Sequence, residues 1–528
     1  MGGLGNSLKS ILTLLPVDAQ TALLSKLKIS DESKSSPAGA ILMGMYLLEY
    51  TGFPKYIDEL IGEEHRAISE MIADWHNKPI GKEPLIPSTG MILSLMAADM
   101  IACPRTITPA YKFESLAEEW CTGPLLGIEP SLLNDDRLGR AMSVLGATPQ
   151  NLQDILFKMI MDTAKQANIP LKKFILDTTL LQLNGKFKDA PKAVPGRGNN
   201  SYVQLIVSLA IASDSRLPVG FDVLAGNTSD SKTLPDVYES VNRIADDGDI
   251  EFLMDRIYPT PSNILFLEER KEERMVNWVS PLKMGLSEKR VREEINLADQ
   301  ESKWKPISYR STKEIAQKVN PPISAFETTW TLSEKIRPNL EEGQKRRPKG
   351  SVKTVEIEVR CVFYRHQLNA EKEKENREAK LQKLEEALKE FSSKLNKWQY
   401  KELDYCKLKL DGLLKSYACV GKFVQYDLIQ SESGIITLSW SWDTVSIEAE
   451  HKYDGLFALL TNYTSRQVNS NQLLTKYRSR DQIEVDFKLM KGLLDLERVL
   501  YQRPERIDVF IFLKVIAFFN TGILAFTG

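Results

Sequence analysis

At Phe174 the spacing of apolar residues changes from helical to alternating, and that switch constrains the fold more than any other feature of the chain. FILDTTLLQL (174–183), YVQLIVSLAIAS (202–213) and LPVGFDVLAG (217–226) are three β-rich runs separated by turn-forming segments, the last two by only Asp214-Ser215-Arg216. An amphipathic stretch, LPDVYESVNRIA, follows. It leads to the short apolar run IEFLMD, which ends at Asp255, then to TPSNILFLEER, a helix with Thr260 or Ser262 near its N-terminus, and to NWVSPLK. The order β-β-β-α-β-α-β predicts a mixed sheet with helices packed on its faces.

The flanking regions have different patterns. Residues from about 36 to 165 carry helical spacing broken by Pro and Gly, which predicts an all-helical N-terminal region. After residue 284 the pattern is lost until about 454. Within that interval, 335–353 is basic and loop-like, with Lys335, Arg337, Lys345, Arg346, Arg347, Lys349 and Lys353 against Glu341 and Glu342. VEIEVRCVFYR alternates as a strand, 370–415 is Lys/Glu/Leu-rich and reads as a long helical hairpin, and 435–449 alternates as a strand through Trp440 and Trp442. YDGLFALLTN returns to core-strand composition, and 469–494 and 504–526 read as two further helices. The expected fold is thus α/β: a ribonuclease-H-like mixed-sheet core with an inserted α+β subdomain and an N-terminal all-helical region. The expected divisions are 1–165, 166–290, 291–452 and 453–528.

Composition narrows the chemistry. The 69 Lys and Arg against 71 Asp and Glu leave a formal charge of −2, so any polyanion must be met by basic residues grouped locally. The five cysteines form no C-x-x-C pair, which removes zinc ribbons and disulfide frameworks and fits a reducing cytoplasm. The four histidines form no metal-binding pattern, so chemistry rests on carboxylates. The apolar stretch Ile11–Val17 is short and contains Pro16, unlike a signal peptide. Val509–Phe526 is long enough to span a bilayer but carries Lys514 and Asn520, so it reads as a buried core helix, and no membrane partner is expected.

Two acids stand out. Asp177 interrupts an apolar strand, where a carboxylate must be paired, neutralised or metal-bound to offset its desolvation. Asp255 ends an apolar strand, and the carboxyl ends of such strands collect ligand-facing residues. Taken singly, Asp177 also reads as an aspartate at a strand end or bulge and Asp255 as a turn or helix-capping aspartate; taken together they suggest a shared divalent-metal site. A third signal lies in TKYRSRDQIEVDFKLMKGL, where Tyr477, Arg480, Glu484 and Lys491 share one helical stripe about 60° wide, beside the apolar face of Ile483, Phe487, Met490 and Leu494. The plain alternative is an Arg480–Glu484 ion pair worth about 0.3–0.5 kcal/mol.

Tyr477-x2-Arg480-x3-Glu484-x6-Lys491 resembles, spacing for spacing, the Y-R-E-K signature of insertion-sequence transposases of the DDE superfamily. GNTSDSKTLPDV (226–237), DGLFALLTN (454–462), LLNDDRLGRAM (132–142) and Glu505-Arg506-Ile507 resemble further landmarks of that family. The resemblance implies a catalytic and metal-binding triad of Asp177, in a D-T-T stretch, Asp255, in a D-R segment, and Glu484. It also implies two Mg²⁺ ions, with Mn²⁺ as the alternative, and cleavage and strand transfer at the ends of an element. Tyr477, Arg480, Lys488 and Lys491 would contact DNA, joined by Lys345, Arg346, Arg347 and Lys349 of the basic segment. The partners implied are double-stranded DNA, as terminal inverted repeats and target, and a second copy of the chain when DNA is bound; the helical region 1–165 would bind the ends, in the cytoplasm of a prokaryote. Ile257-Tyr258-Pro259 depart from the small residue the family commonly places after D-R, and the chain stops at Thr527-Gly528, where related chains tend to continue. The rival readings are therefore an inactive or truncated DNA-binding remnant and a nuclease without strand transfer.

Overall fold

The computed structural model describes residues 38–77, 83–103, 108–183, 187, 189–196, 203–246, 248–283, 288–320, 322–336, 353–480 and 499–527. They divide into two compact units, one holding the described residues up to Ser280, Leu332–Ile357 and those from Lys476 on, the other holding Pro281–Thr331 and Glu358–Thr475.

In the first unit, helices Ala38–Tyr50, Phe53–Ile61, Ile68–Asn77, Thr89–Ala102, Asp135–Gly146 and Gln150–Ala167 form the all-helical N-terminal region. Thr89–Ala102 is buried from Thr89 through Asp99, and its first turn is satisfied three times over: Ser88 caps the Met91 N–H, and the Asp58 and Glu63 carboxylates accept from Gly90 and Thr89. Gly90 is required there, since a Cβ would sit 2.3 Å from the Pro54 carbonyl. Helix Pro504–Thr527 is long and apolar enough to cross a membrane, yet it packs against Thr89–Ala102 and Asp135–Gly146, and its apolar window is 72% buried. Its polar residues are accommodated inside: Asn520 accepts from Thr51 and donates to Ile516, and Lys514 lies over the Phe510 ring. Two of the sequence landmarks turn out to be one contact. Asn134 caps helix Asp135–Gly146, Arg506 donates to Ser143, and a Cβ on Gly146 would stand 2.4 Å from the Glu505 carbonyl.

The sheet of this unit comprises β1 (Lys173–Gln182), β2 (Val194–Pro195), β3 (Val203–Ala212), β4 (Pro218–Ala225), β5 (Ile250–Leu253) and β6 (Val276–Pro281). β3 lies antiparallel between β1 and β4, with β2 sharing its outer edge, while β5 lies parallel to β1 and β6 parallel to β5. The spatial order β4-β3-β1-β5-β6 is that of a ribonuclease-H-like fold, as the sequence order predicts. β3 carries no alternation because it is central and covered on both faces; all of its residues after Val203 are buried. Helix Leu234–Ile244 packs on β4, and helix Pro261–Glu269 starts at Thr260, whose side chain accepts from the Asn263 N–H.

The second unit holds β7 (Lys305–Ile307), β8 (Ile323–Ile336) up to Thr331, β9 (Lys353–His366) from Glu358 on, and β12 (Leu456–Thr461), in the order β12-β9-β8-β7, and β10 (Val424–Gln430) pairs separately with β11 (Ile436–Trp442). The helical hairpin Gln367–Lys394 and Leu403–Ser416 has its own core of Leu384, Leu388, Phe391, Cys406, Leu410 and Phe423, onto which Trp440 and Trp442 pack. Two details differ from the sequence reading. The strand expected over 435–449 ends at Trp442, because Asp443 accepts from Ser446 and starts a helix at Thr444–Glu450. The basic segment is shorter as a connection, since Lys335 belongs to β8 and Lys353 to β9; Lys345, Arg346, Arg347 and Lys349 lie outside the described residues.

Candidate active site

The parallel pairing of β1 with β5 matches Lys173 to Glu251, Phe174 to Phe252 and Ile175 to Leu253, where β5 ends. Asp177 and Asp255 each lie two residues beyond that last pair, on neighbouring strand paths running the same way. At a strand period of two, both acids continue the side of the sheet set by Ile175 and Leu253. Their local geometry is the same: the Thr178 N–H donates to Asp177 Oδ1 at 2.9 Å, and the Arg256 N–H to Asp255 Oδ1 at 2.8 Å. Each carboxylate is thereby oriented by its own backbone, and both are half-buried.

The chain after Asp255 is pinned. The Asp255 carbonyl accepts from Ser280 Oγ at 3.0 Å and from the Tyr258 N–H at 3.1 Å, which closes a turn over Asp255–Tyr258. Tyr258 is 1% exposed, and its carbonyl accepts from Asn263. The residues that depart from the family pattern therefore form a packed turn, with Tyr258 serving the core and Arg256 exposed.

A helix over residues 470–480 lies on β5. Arg480, with only 6% of its side chain exposed, donates to the Met254 carbonyl at 3.2 Å and stands 3.7 Å from Asp255 Oδ1. Tyr477 is half-buried one turn earlier. Sequence reasoning missed Lys476, whose ammonium donates to Glu251 Oε2 at 2.6 Å; a lysine beside a tyrosine and a glutamate in an apolar run gave no sign that they meet. The structure thus brings Asp177, Asp255 and Arg480 to neighbouring places, whereas Glu484, Lys488 and Lys491 lie outside the described residues. Among the described residues no three metal-capable side chains converge, so this part of the chain offers two hard carboxylates and an arginine.

A family model described as a transposase DDE domain matches residues 170–519. The piggyBac transposase synaptic complex with hairpin DNA is similar over 92% of this chain and 75% of that one, at 9% identity and a TM-score of 0.41. The Mos1 transposase paired-end complex with left transposon end is similar over 50% of this chain and 78% of that one, at 13% identity and a TM-score of 0.15. The Mos1 mariner paired-end complex with Mn covers 45% of this chain and 76% of that one, at 11% identity and a TM-score of 0.14. A comparison with curated proteins yields no match. The domain match begins just before the strand that carries Asp177, takes in Asp255 and Arg480, and covers well over half of the residues: this chain belongs to the transposase DDE-domain family.

Proposed function

We propose that the protein cuts DNA at the ends of an insertion sequence and joins those ends to target DNA, with Asp177, Asp255 and Glu484 as its three acids. The observation that carries this reading is the parallel register that leaves Asp177 and Asp255 level beyond the end of β5, with Arg480 against the second of them. Glu484 follows Arg480 by four residues, one turn of the helix read from sequence over 469–494. That spacing would carry its carboxylate toward the same strand ends.

The donor set suits a hard divalent cation, Mg²⁺ or Mn²⁺, because all three groups are carboxylates. When bound, a pair of such ions supplies an activated water or 3′-hydroxyl and stabilises the leaving oxygen. The chain's own contribution is orientation. The Thr178 and Arg256 amides fix one oxygen of each aspartate, and the Ser280 hydroxyl holds the Asp255 backbone. Arg480, engaged with the Met254 carbonyl, is assigned the positioning of Asp255 and acts on DNA through it. Tyr477, Lys488 and Lys491 contact the DNA end, while Lys345, Arg346, Arg347 and Lys349 contact phosphates. The helical region 1–165 binds the terminal repeats, and two copies of the chain pair the two ends.

The test is cleavage of end-bearing duplex DNA in Mg²⁺. Asp177→Asn, Asp255→Asn and Glu484→Gln should each abolish cleavage while DNA binding without metal persists, and the wild-type product should become joined to a target duplex. Cleavage without joining would make the protein a nuclease, and a Glu484→Gln protein that cuts at the wild-type rate would remove Glu484 from the site.

A further inference from the structure

We infer that Lys476 and Glu251 form the second anchor of a two-point clamp that sets the rotation and register of the helix leading to Glu484 over the strand leading to Asp255. The inference rests on the reading of Glu484 as the third acid, and it adds two residues that no signature contains.

Lys476 and Arg480 are four residues apart on one helix and so share a face, with a rise of about 6 Å between them. Their partners lie along one strand path, at Glu251 and at Met254–Asp255. The earlier helix residue meets the earlier strand position and the later meets the later, so helix and strand run in the same direction. Both therefore advance toward the end of β5 where Asp177 and Asp255 lie. Two contacts four residues apart fix its axis, rotation and axial position together.

The chemistry of the Lys476–Glu251 anchor suits that task. Glu251 is 7% exposed, in the middle of a sheet, between Lys173 of β1 and Asn277 of β6. A carboxylate so placed costs far more to leave unpaired than a surface one. The ammonium that meets it, at 2.6 Å, comes from the helix rather than from the sheet. A slip of the helix by one turn, about 5.4 Å, would take Lys476 away from Glu251 and re-bury that charge, so the pair selects one register against the alternatives. On the helix read from sequence over 469–494, the same slip would displace Glu484 by a distance that metal coordination does not tolerate, given that a misplacement of about 1 Å can cost on the order of 100-fold in rate. Lys476 and Glu251 are thus positioning residues: they touch neither substrate nor metal and act through Glu484.

The experiment uses the full-length chain and reads Mn²⁺ binding directly, from the loss of the free-ion signal in electron paramagnetic resonance, beside the thermal melt and DNA binding without metal. Lys476→Met and Glu251→Gln should each weaken Mn²⁺ binding by about tenfold or more, the range found when supporting partners of metal ligands are removed. DNA binding without metal should be unchanged, and Lys476→Arg should restore the wild-type affinity. The double variant should be no weaker than the weaker single, because both remove one interaction. If Glu251→Gln fails to fold, Lys476→Met decides the matter, since its side chain is 29% exposed and its loss leaves the strand intact. A lowered melt with unchanged Mn²⁺ affinity would reduce the pair to a structural tie and overturn the inference. If the wild-type protein itself binds no Mn²⁺, the metal-site reading fails instead. The clamp is then judged by hydrogen exchange of the 470–480 amides, which Lys476→Met should accelerate at least tenfold; unchanged protection would overturn it.

Discussion

Replacing Arg480 by Met separates an arginine that holds the second acid from one that faces DNA. The guanidinium donates to the buried Met254 carbonyl at 3.2 Å and stands 3.7 Å from Asp255, whose side chain is 38% exposed. Methionine keeps most of the buried stem, so the loss is concentrated in the charged head. The charge-assisted hydrogen bond is worth about 1.5–3 kcal/mol, and the partly solvated ion pair adds at most about 1 kcal/mol. A loss of about 2–3 kcal/mol in a unit of this size lowers the melting temperature by roughly 3–4 °C, at about 2.1 cal/mol/K of unfolding entropy per residue. Calorimetry reads that shift, and filter binding across a salt series reads the number of phosphate contacts. A lowered melt with an unchanged salt slope is expected in the absence of metal. An unchanged melt together with a slope reduced by about one would place Arg480 on a phosphate and refute the positioning role.

Four further outcomes are expected or excluded on the same footing. Gly146→Ala should destabilise the protein by about 1–3 kcal/mol in urea melts, because its Cβ would press on the Glu505 carbonyl at 2.4 Å and part the two helices. Burial raises the Glu49 carboxyl from 4.5 to about 7, so the folded state holds a proton that the unfolded state has released, and stability should fall as pH rises from about 4.5 to about 7. Glu49→Gln keeps an acceptor for the Ile68 N–H and should therefore gain about 1–2 kcal/mol over wild type at pH 8, and nothing below pH 4; an equal gain at both pH values would contradict the burial effect. Converting Lys345, Arg346, Arg347 and Lys349 together to Ala should weaken DNA binding alike for all sequences and reduce the salt slope by about three to four, whereas an unchanged slope would leave the segment a solvated connector.

The sheet of the first unit was legible because its strands are long, rich in apolar residues and separated by clear turns: β1, β3 and β4 fall within one residue of the runs read from sequence. Asp177 and Asp255 drew notice for a related reason, since a carboxylate inside or at the end of an apolar strand is anomalous, and the structure sets them level on neighbouring strand paths. What remained hidden depends on distant partners. The helix Glu288–Gln300 is heavily charged, and only Val291, Ile295 and Ala298 mark its buried face. The helix Thr444–Glu450 continues an alternating pattern, and its start is decided by one Asp443 cap. The need for glycine at 139 and 146 is set by distant partners, since Arg506 and the Glu505 carbonyl fill the space that a side chain would need. Lys476 was unreadable because its acid lies more than two hundred residues upstream on a strand that had drawn notice only for Asp255.

Asp177, Asp255 and Glu484 are proposed to hold metal together. A crystal of the full-length protein grown with Mn²⁺ and end-bearing DNA, measured for anomalous scattering, tests it most directly. An anomalous peak is expected beyond the end of β5, with oxygens of all three carboxylates at roughly 2.0–2.3 Å. A peak bound by Asp177 and Asp255 with the Glu484 carboxylate elsewhere, or on the far face of the sheet, would contradict it.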